Sequence, residues 1–271
     1  MKKLSLVLLV VPLFLACPKK EAPPPTTTST PTTTISTAPP PQLTPKPDHY
    51  KFWTTSQVHF EPQTFTLQGQ FDNEPWKTTA HAVLFLGNPV DKNKGGINNA
   101  TRHYVAYQIE PPLKAPAIEV ALSNQLEKET KWLVTGPVLL LLPANKSLTQ
   151  EVPPKPEGGD HYACYRVNPM EPIPVEKTLP GKIQLVDQFD KKREKVETIK
   201  SVQPKYFCVP VHKNGERIYD EKTHLALYQI KPADHFPITV LTTDQWGTRK
   251  HSINDSAMLA VPSTKLGFKK Q

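Results

Sequence analysis

Four segments cut to one pattern govern what this 271-residue chain can fold into. They are His49-Tyr50-Lys51-Phe52-Trp53, His103-Tyr104-Val105-Ala106-Tyr107, His161-Tyr162-Ala163-Cys164-Tyr165 and His224-Leu225-Ala226-Leu227-Tyr228. Each is followed by glutamine and a bulky apolar residue, at Gln70-Phe71, Gln125-Leu126, Gln188-Phe189 and Gln245-Trp246, and each closes on a proline, Pro89, Pro143, Pro210 or Pro262. Duplication of this kind sets an architecture, so a residue present in all four copies is read first as structural.

The quarters group in pairs. Pro89-Val90-Asp91-Lys92-Asn93 leads into His103 and Pro210-Val211-His212-Lys213-Asn214 into His224, and both second members continue as Tyr-Gln-Ile-x-Pro from Tyr107 and Tyr228. This predicts a module over 48–148, a Pro/Gly-rich linker over 149–159, a second module over 160–266 and a short tail, 267–271. Within each quarter the apolar period is two, as in His161 to Val167 and Lys182 to Val186. β-branched and aromatic residues fill these runs and prolines separate them, while Asp190-Lys191-Lys192 reads as a polar turn. The expectation is all-β, as tandem duplicated β-sandwich or barrel-like modules with no long amphipathic helix.

Cys164 is the fourth residue of its opening segment, and Cys208 stands two before the closing Pro210. The equivalent pairs are Phe52 with Gly87, Ala106 with Leu141, and Leu227 with Ala260. A large residue faces a small one each time and the large one changes side, as two touching core positions would show. A Cys164–Cys208 disulfide is therefore expected, the alternative being two free buried thiols. The segments His161 to Val167, Val186-Asp187-Gln188-Phe189 and Cys208-Val209-Pro210-Val211 resemble a repeat of uncharacterised bacterial secreted proteins. Its motif order is HYxCYxV, DQF and CxPV, with both cysteines. The resemblance covers roughly residues 48–266 and fades outside the third quarter. It implies a secreted β-rich repeat and no known activity.

Export is also written at the N-terminus. Lys2 and Lys3 precede an apolar run from Leu4 to Ala16, too short to span a bilayer and interrupted by Pro12. Phe14-Leu15-Ala16-Cys17 resembles a lipobox, with Phe14 and Leu15 departing from it, so 1–16 reads as a lipoprotein signal peptide and Cys17 as the lipidated residue. Residues 18–47 hold 10 Pro and 9 Thr among 30 positions. Such a stretch cannot bury enough surface to offset its ordering entropy, so 17–47 is expected to be a tether. Residue 18 is Pro rather than Asp, which directs a lipoprotein to the outer membrane by default in a host with two membranes.

Little in the chain points to chemistry. His49, His103, His161 and His224 supply one repeated imidazole per quarter without the converging Cys/His partners zinc needs, so each reads as a strand-start residue bonding a loop. Gln70, Gln125, Gln188 and Gln245 sit beside turns and read as hairpin chemistry. Asp91-Lys92-Asn93 with Gly95-Gly96 fails as a calcium loop, because Arg102 stands where the bidentate acid belongs. No hydrolase, phosphate-loop or metalloprotease motif appears, and no basic tract or aromatic-basic motif of a nucleic-acid reader. The expectation is a lipid-anchored, non-enzymatic envelope protein without cofactor, held to the membrane by its lipid. Its paired modules would bind or scaffold a cell-wall polymer or an envelope protein. The alternative is a polysaccharide-binding or hydrolytic protein with a site between repeats, for which exposed Trp53, Trp76, Trp132 or Trp246 would be suited.

Overall fold

The structure, a computed structural model, describes residues 47–56, 58–168, 177–232 and 237–271. The leader, Cys17 and almost all of the tether lie outside them. Among the described residues, twelve strands and one short helix follow in order: β1 (His49–Thr55), β2 (Gln63–Gly69), β3 (Trp76–Lys92), β4 (His103–Ile109), β5 (Ile118–Asn124), β6 (Thr130–Ser147), β7 (His161–Asn168), β8 (Lys177–Val186), α1 (Gln188–Arg193), β9 (Glu197–Lys213), β10 (Thr223–Gln229), β11 (Ile238–Asp244) and β12 (Gly247–Lys270). The fold is all-β, as the period-two runs require.

Eight strands close on themselves. Antiparallel pairing runs β1–β3–β4–β6–β7–β9–β10–β12 and returns from β12 to β1. Each opening segment is one stave (β1, β4, β7, β10), and the long strand after it supplies the next. The remaining strands are arms. Each pairs with the start of its own quarter's long strand (β2–β3, β5–β6, β8–β9, β11–β12) and with the end of another's: β2 with β9, β5 with β12, β8 with β3, β11 with β6. Asn93 and Asn214 secure two of these joins from positive φ. Asn93 exchanges bonds with Gln184 (N–H to O 2.9 Å, Oδ1 from N–H 2.8 Å), and Asn214 does so with Thr66 (2.9 and 2.9 Å).

The ring has two cores because both faces of its strands are covered. Tyr50, Phe52, Tyr104, Ala106, Leu139, Leu141, Tyr162, Cys164, Cys208, Leu225, Leu227, Met258 and Ala260 cluster inside it. Trp53, Val105, Tyr107, Ala163, Tyr165, Phe207, Ala226 and Tyr228 belong to a larger outer cluster beneath the arms. The four pairs singled out in the sequence stand directly opposite one another: Phe52 with Gly87, Ala106 with Leu141, Cys164 with Cys208 and Leu227 with Ala260. Cys164 and Cys208 are joined as a disulfide. At Gly87 an added Cβ would lie 2.8 Å from the buried Phe52 ring. Gly87→Ala is therefore expected to cost about 1–3 kcal/mol by overpacking, read as a lower urea midpoint. Phe52→Leu in the same chain should recover part of that loss.

Three expectations change. The pairs 48–148 and 160–266 do not stand apart: the described residues belong to one compact unit, and β6–β7, β12–β1 and all four arm contacts join the halves. Four staves per half leave open edges that only the other half can pair. The tail is strand, since Gly267 to Lys270 pair with Ala121 to Ile118 on β5. Asp190-Lys191-Lys192 lies in α1, where Asp187 caps the helix through a capping box with Asp190, basic residues fill the last turn and Glu194 ends it at φ 54°.

Candidate functional site

Most of the repeated polar residues are spent on joining quarters. The position before each glutamine is Gly69, Asn124, Asp187 or Asp244. In three of them a side-chain oxygen takes the N–H two residues on: Asn124 from Leu126 (2.7 Å), Asp187 from Phe189 (2.9 Å) and Asp244 from Trp246 (2.7 Å). The other end of the same side chain meets the fifth residue of an opening segment two quarters away. Trp53 Nε1 donates to Asp187 (2.7 Å), Tyr107 Oη donates to Asp244, and Asn124 donates to Tyr228 Oη (2.9 Å). Burial and the adjacent carboxylate push the Tyr107 phenol far above its ordinary range. The bulky residue after the glutamine packs on that same ring, Phe189 against Trp53, Trp246 against Tyr107 and Phe71 against Tyr165.

The first quarter breaks the pattern. A side chain at Gly69 would place Cβ 2.9 Å from Val211 Cγ1, so no carboxylate reaches Tyr165, whose hydroxyl has no hydrogen-bond partner among the described residues. Tyr165→Phe should thus change stability by less than about 0.5 kcal/mol, whereas Tyr107→Phe should cost about 1–3 kcal/mol by stranding part of Asp244. Thermal melts of the two single variants check the contrast.

Two of the histidines and two of the glutamines meet across quarters. Gln70 donates to Glu221 O (2.6 Å) and touches His224 Nε2 (3.1 Å), and Gln245 Nε2 lies 3.1 Å from His161 Nε2. The expected hairpin role of Gln70 and Gln245 is thus replaced, because the hairpin tips end on another quarter. His224 makes the loop contact expected of the histidines, its Nδ1 lying 2.9 Å from Lys222 O, and before His49 and His161 the preceding aspartate binds a loop as well. Asp48 accepts from the N–H groups of Asn98 and Asn99 (2.7 and 2.8 Å), and Asp160 from Tyr219 and Asp220 (2.6 and 3.1 Å). Among the described residues no three metal-binding side chains converge.

A buried ionic cluster escaped the sequence reading. Lys51, fully buried on the outer face of β1, donates to Asp190 and to Glu197 (2.9 Å) and lies 3.8 Å from Asp187. Arg193 donates to Asp190 (2.7 Å), Ser256 to Glu197 (2.8 Å), Asn88 to Asp187 (2.9 Å), and Lys146 to Asn88 (2.6 Å). Burial pulls the Lys146 amine down to about 7, and burial followed by the Asp187 charge raises the Asp190 carboxyl. For Asp187 the Lys51 charge and three further favourable contacts outweigh burial and lower the carboxyl. One signal was available: Lys51 stands where the other copies carry Val105, Ala163 and Ala226, a charge at an apolar position.

A groove of about 640 Å³ lies between the 154–159 connection, the β9–β10 turn and the β11–β12 tip. Exposed Lys155 and Arg217, buried Lys213, exposed Tyr219 and half-buried Trp246 line it. Its carboxylate, Glu216, is engaged by Lys213 (3.1 Å) and stands 3.7 Å from His161. Arg217 lies over the Tyr219 ring at 4.8 Å. A hollow of about 270 Å³ adjoins it across the 154–159 connection, shares Pro143, Lys155, Pro156 and Gly158, and carries Arg102 and Glu157. The expected linker is thus a wall of the groove. Trp53 and Trp132 are buried, Trp76 lines a smaller hollow, and Trp246 is the tryptophan in this groove.

A family model described as a repeat of unknown function, DUF7450, matches residues 103–262. No curated protein and no solved structure matches the chain.

Proposed function

Since the chain belongs to the family of DUF7450 repeats, whose function is unknown, we propose from its own residues that it is a non-enzymatic binding protein of the cell envelope. Cys17 carries the lipid, residues 17–47 form the tether, and the ring presents its groove to an anionic cell-wall polymer. The observation that carries this reading is the row of exposed cations, Arg102, Lys155 and Arg217, along two adjoining hollows, with an aromatic platform in the larger one. Flexible cations beside aromatic faces suit a chain of acidic sugars or phosphodiesters. Hydrolysis is less well supported, because glycoside cleavage uses a pair of carboxylates and the larger groove offers Glu216 tied to Lys213. The HYxCYxV, DQF and CxPV segments are, on this reading, the family's framework rather than its site.

Co-sedimentation of a Cys17→Ser form of the chain with isolated cell-wall sacculi tests the groove. Binding should persist at physiological salt and weaken towards 1 M, where the Debye length is about 3 Å. Lys155→Ala with Arg217→Ala should abolish it. Lys191→Ala with Lys192→Ala, an equal loss of exposed charge elsewhere, should leave it intact. Equal effects of the two pairs would reduce binding to net charge and defeat the proposal. Incorporation of a labelled fatty acid that disappears in Cys17→Ser tests the anchor.

A further inference from the structure

We infer that Lys51 and Asp190 form an intramolecular amide bond, a covalent tie between β1 and α1 that is distinct from the disulfide. The two side chains are in hydrogen-bonding contact and both are fully buried, 139 residues apart in sequence. A third group completes the arrangement. Glu197, almost fully buried, contacts Lys51 Nζ at 2.9 Å through one oxygen and is held by Ser256 at 2.8 Å through the other. The Trp53 ring lies 4.4 Å from the amine, and Phe189 packs against Trp53. An amine, a carboxyl and a second carboxyl within reach of the amine, walled by aromatic rings, are the parts that acyl transfer to a lysine needs.

The step balances without any added reagent. A neutral amine and a carboxylic acid carry the same protons as an ammonium and a carboxylate, so one proton passes from Lys51 to Asp190 within the pair. Burial, which raises the Asp190 carboxyl, favours that neutral form. The Nζ lone pair attacks Asp190 Cγ. Oδ1, which accepts from Arg193 at 2.7 Å, takes the developing negative charge, as a positioned donor in a dry site is suited to hold it. Glu197 accepts the proton from Nζ and returns it to Oδ2, on the lysine side. The C–Oδ2 bond breaks, water leaves, and a secondary amide remains. Fixed contact replaces a bimolecular encounter, which raises effective concentration by orders of magnitude. The product also removes one positive and one negative charge from a dry site, where an ion pair pays heavily for desolvation. Arg193 and Lys146 then remain with Asp187 and Glu197, so the cluster keeps its charge balance.

Position gives the bond a purpose. β1 is the first strand after the proposed tether, and tension on the anchor would reach the body through it. A Lys51–Asp190 amide passes that load into the third quarter instead of leaving it on the hydrogen bonds flanking β1.

Peptide mapping of the full chain decides the matter. After reduction and trypsin digestion, the expected product is a branched peptide that joins the Lys51 segment to the Asp190 segment, lighter than their sum by one water and uncut after Lys51. Recovery of both segments as separate linear peptides would overturn the inference. So would fragmentation spectra placing the branch on Asp187 or Glu197. Lys51→Arg should yield linear peptides, and Glu197→Gln should leave most of the chain unlinked. A Glu197→Gln chain linked as fully as the parent would remove Glu197 from the proton transfer.

Discussion

Replacing Cys164 and Cys208 together by alanine is expected to lower the stability of the protein by about 4 kcal/mol, the chain-entropy value for a closed loop of this size. The bridge spans a sequence separation of 44 and joins directly opposed residues inside the ring. Its three counterparts hold the same contact by packing alone, which supplies a second variant. Cys164→Leu with Cys208→Ala copies the Leu227–Ala260 pair and restores volume without a crosslink. Urea midpoints of the parent, the alanine pair and the copied pair then separate the two contributions. If the copied pair matched the parent, packing rather than covalent constraint would account for the position.

These pairs mark how far the sequence could be read. Strand content and the four opposed pairs were legible because alternation and size compensation are local to each quarter, and a residue's face follows from its parity. Closure of the ring was not legible. Nothing near Tyr50 signals that Ala260 will be its neighbour, and the edge that forces this exists only once both halves are built. The glutamines misled for a related reason. Gln245 sits beside a turn in sequence, but its partner, His161, belongs to another quarter brought there by the β11–β6 contact. The double duty of Asp187 and Asp244 was equally hidden, because one carboxylate shapes its own turn and also holds an aromatic residue two quarters away. The groove was hidden because a linker by composition became a wall by folding.

The second large effect is expected on acidification. His161, His224 and His251 are each pushed down to about 4, chiefly by burial, and His103 is also well below its ordinary value. These imidazoles are neutral in the fold and take up protons near pH 6.5 once unfolded. Their stabilising contribution is complete above about pH 6.5 and is lost as pH falls towards 4, with a slope of up to about 1.4 kcal/mol per pH unit for each group. Asp72 and Asp160 have raised carboxyls and act in the opposite sense just above their usual range, which offsets part of the loss. Asp220, with a lowered carboxyl, adds a further loss only below it. The net fall between pH 6.5 and 4.5 is expected to be roughly 3–5 kcal/mol. Urea midpoints across that range measure it. His251→Gln, which keeps a polar group beside Thr242, should flatten the slope; an unchanged slope in that variant would exclude His251 as a contributor.

Closure of the ring by its first and last strands also governs how the chain reaches this state. Tyr50 and Ala260 are neighbours in the finished sheet, so β1 has one complete edge only after nearly the whole body is available. The arms impose the same delay, because β2 waits for β9 and β5 for β12. Contacts of such long sequence separation must meet the loop-closure cost before they return any stability, which makes folding slow and gives half a chain no stable resting point. A truncated product would therefore expose unpaired strand edges and be open to aggregation or proteolysis, so the architecture admits the complete chain and penalises fragments.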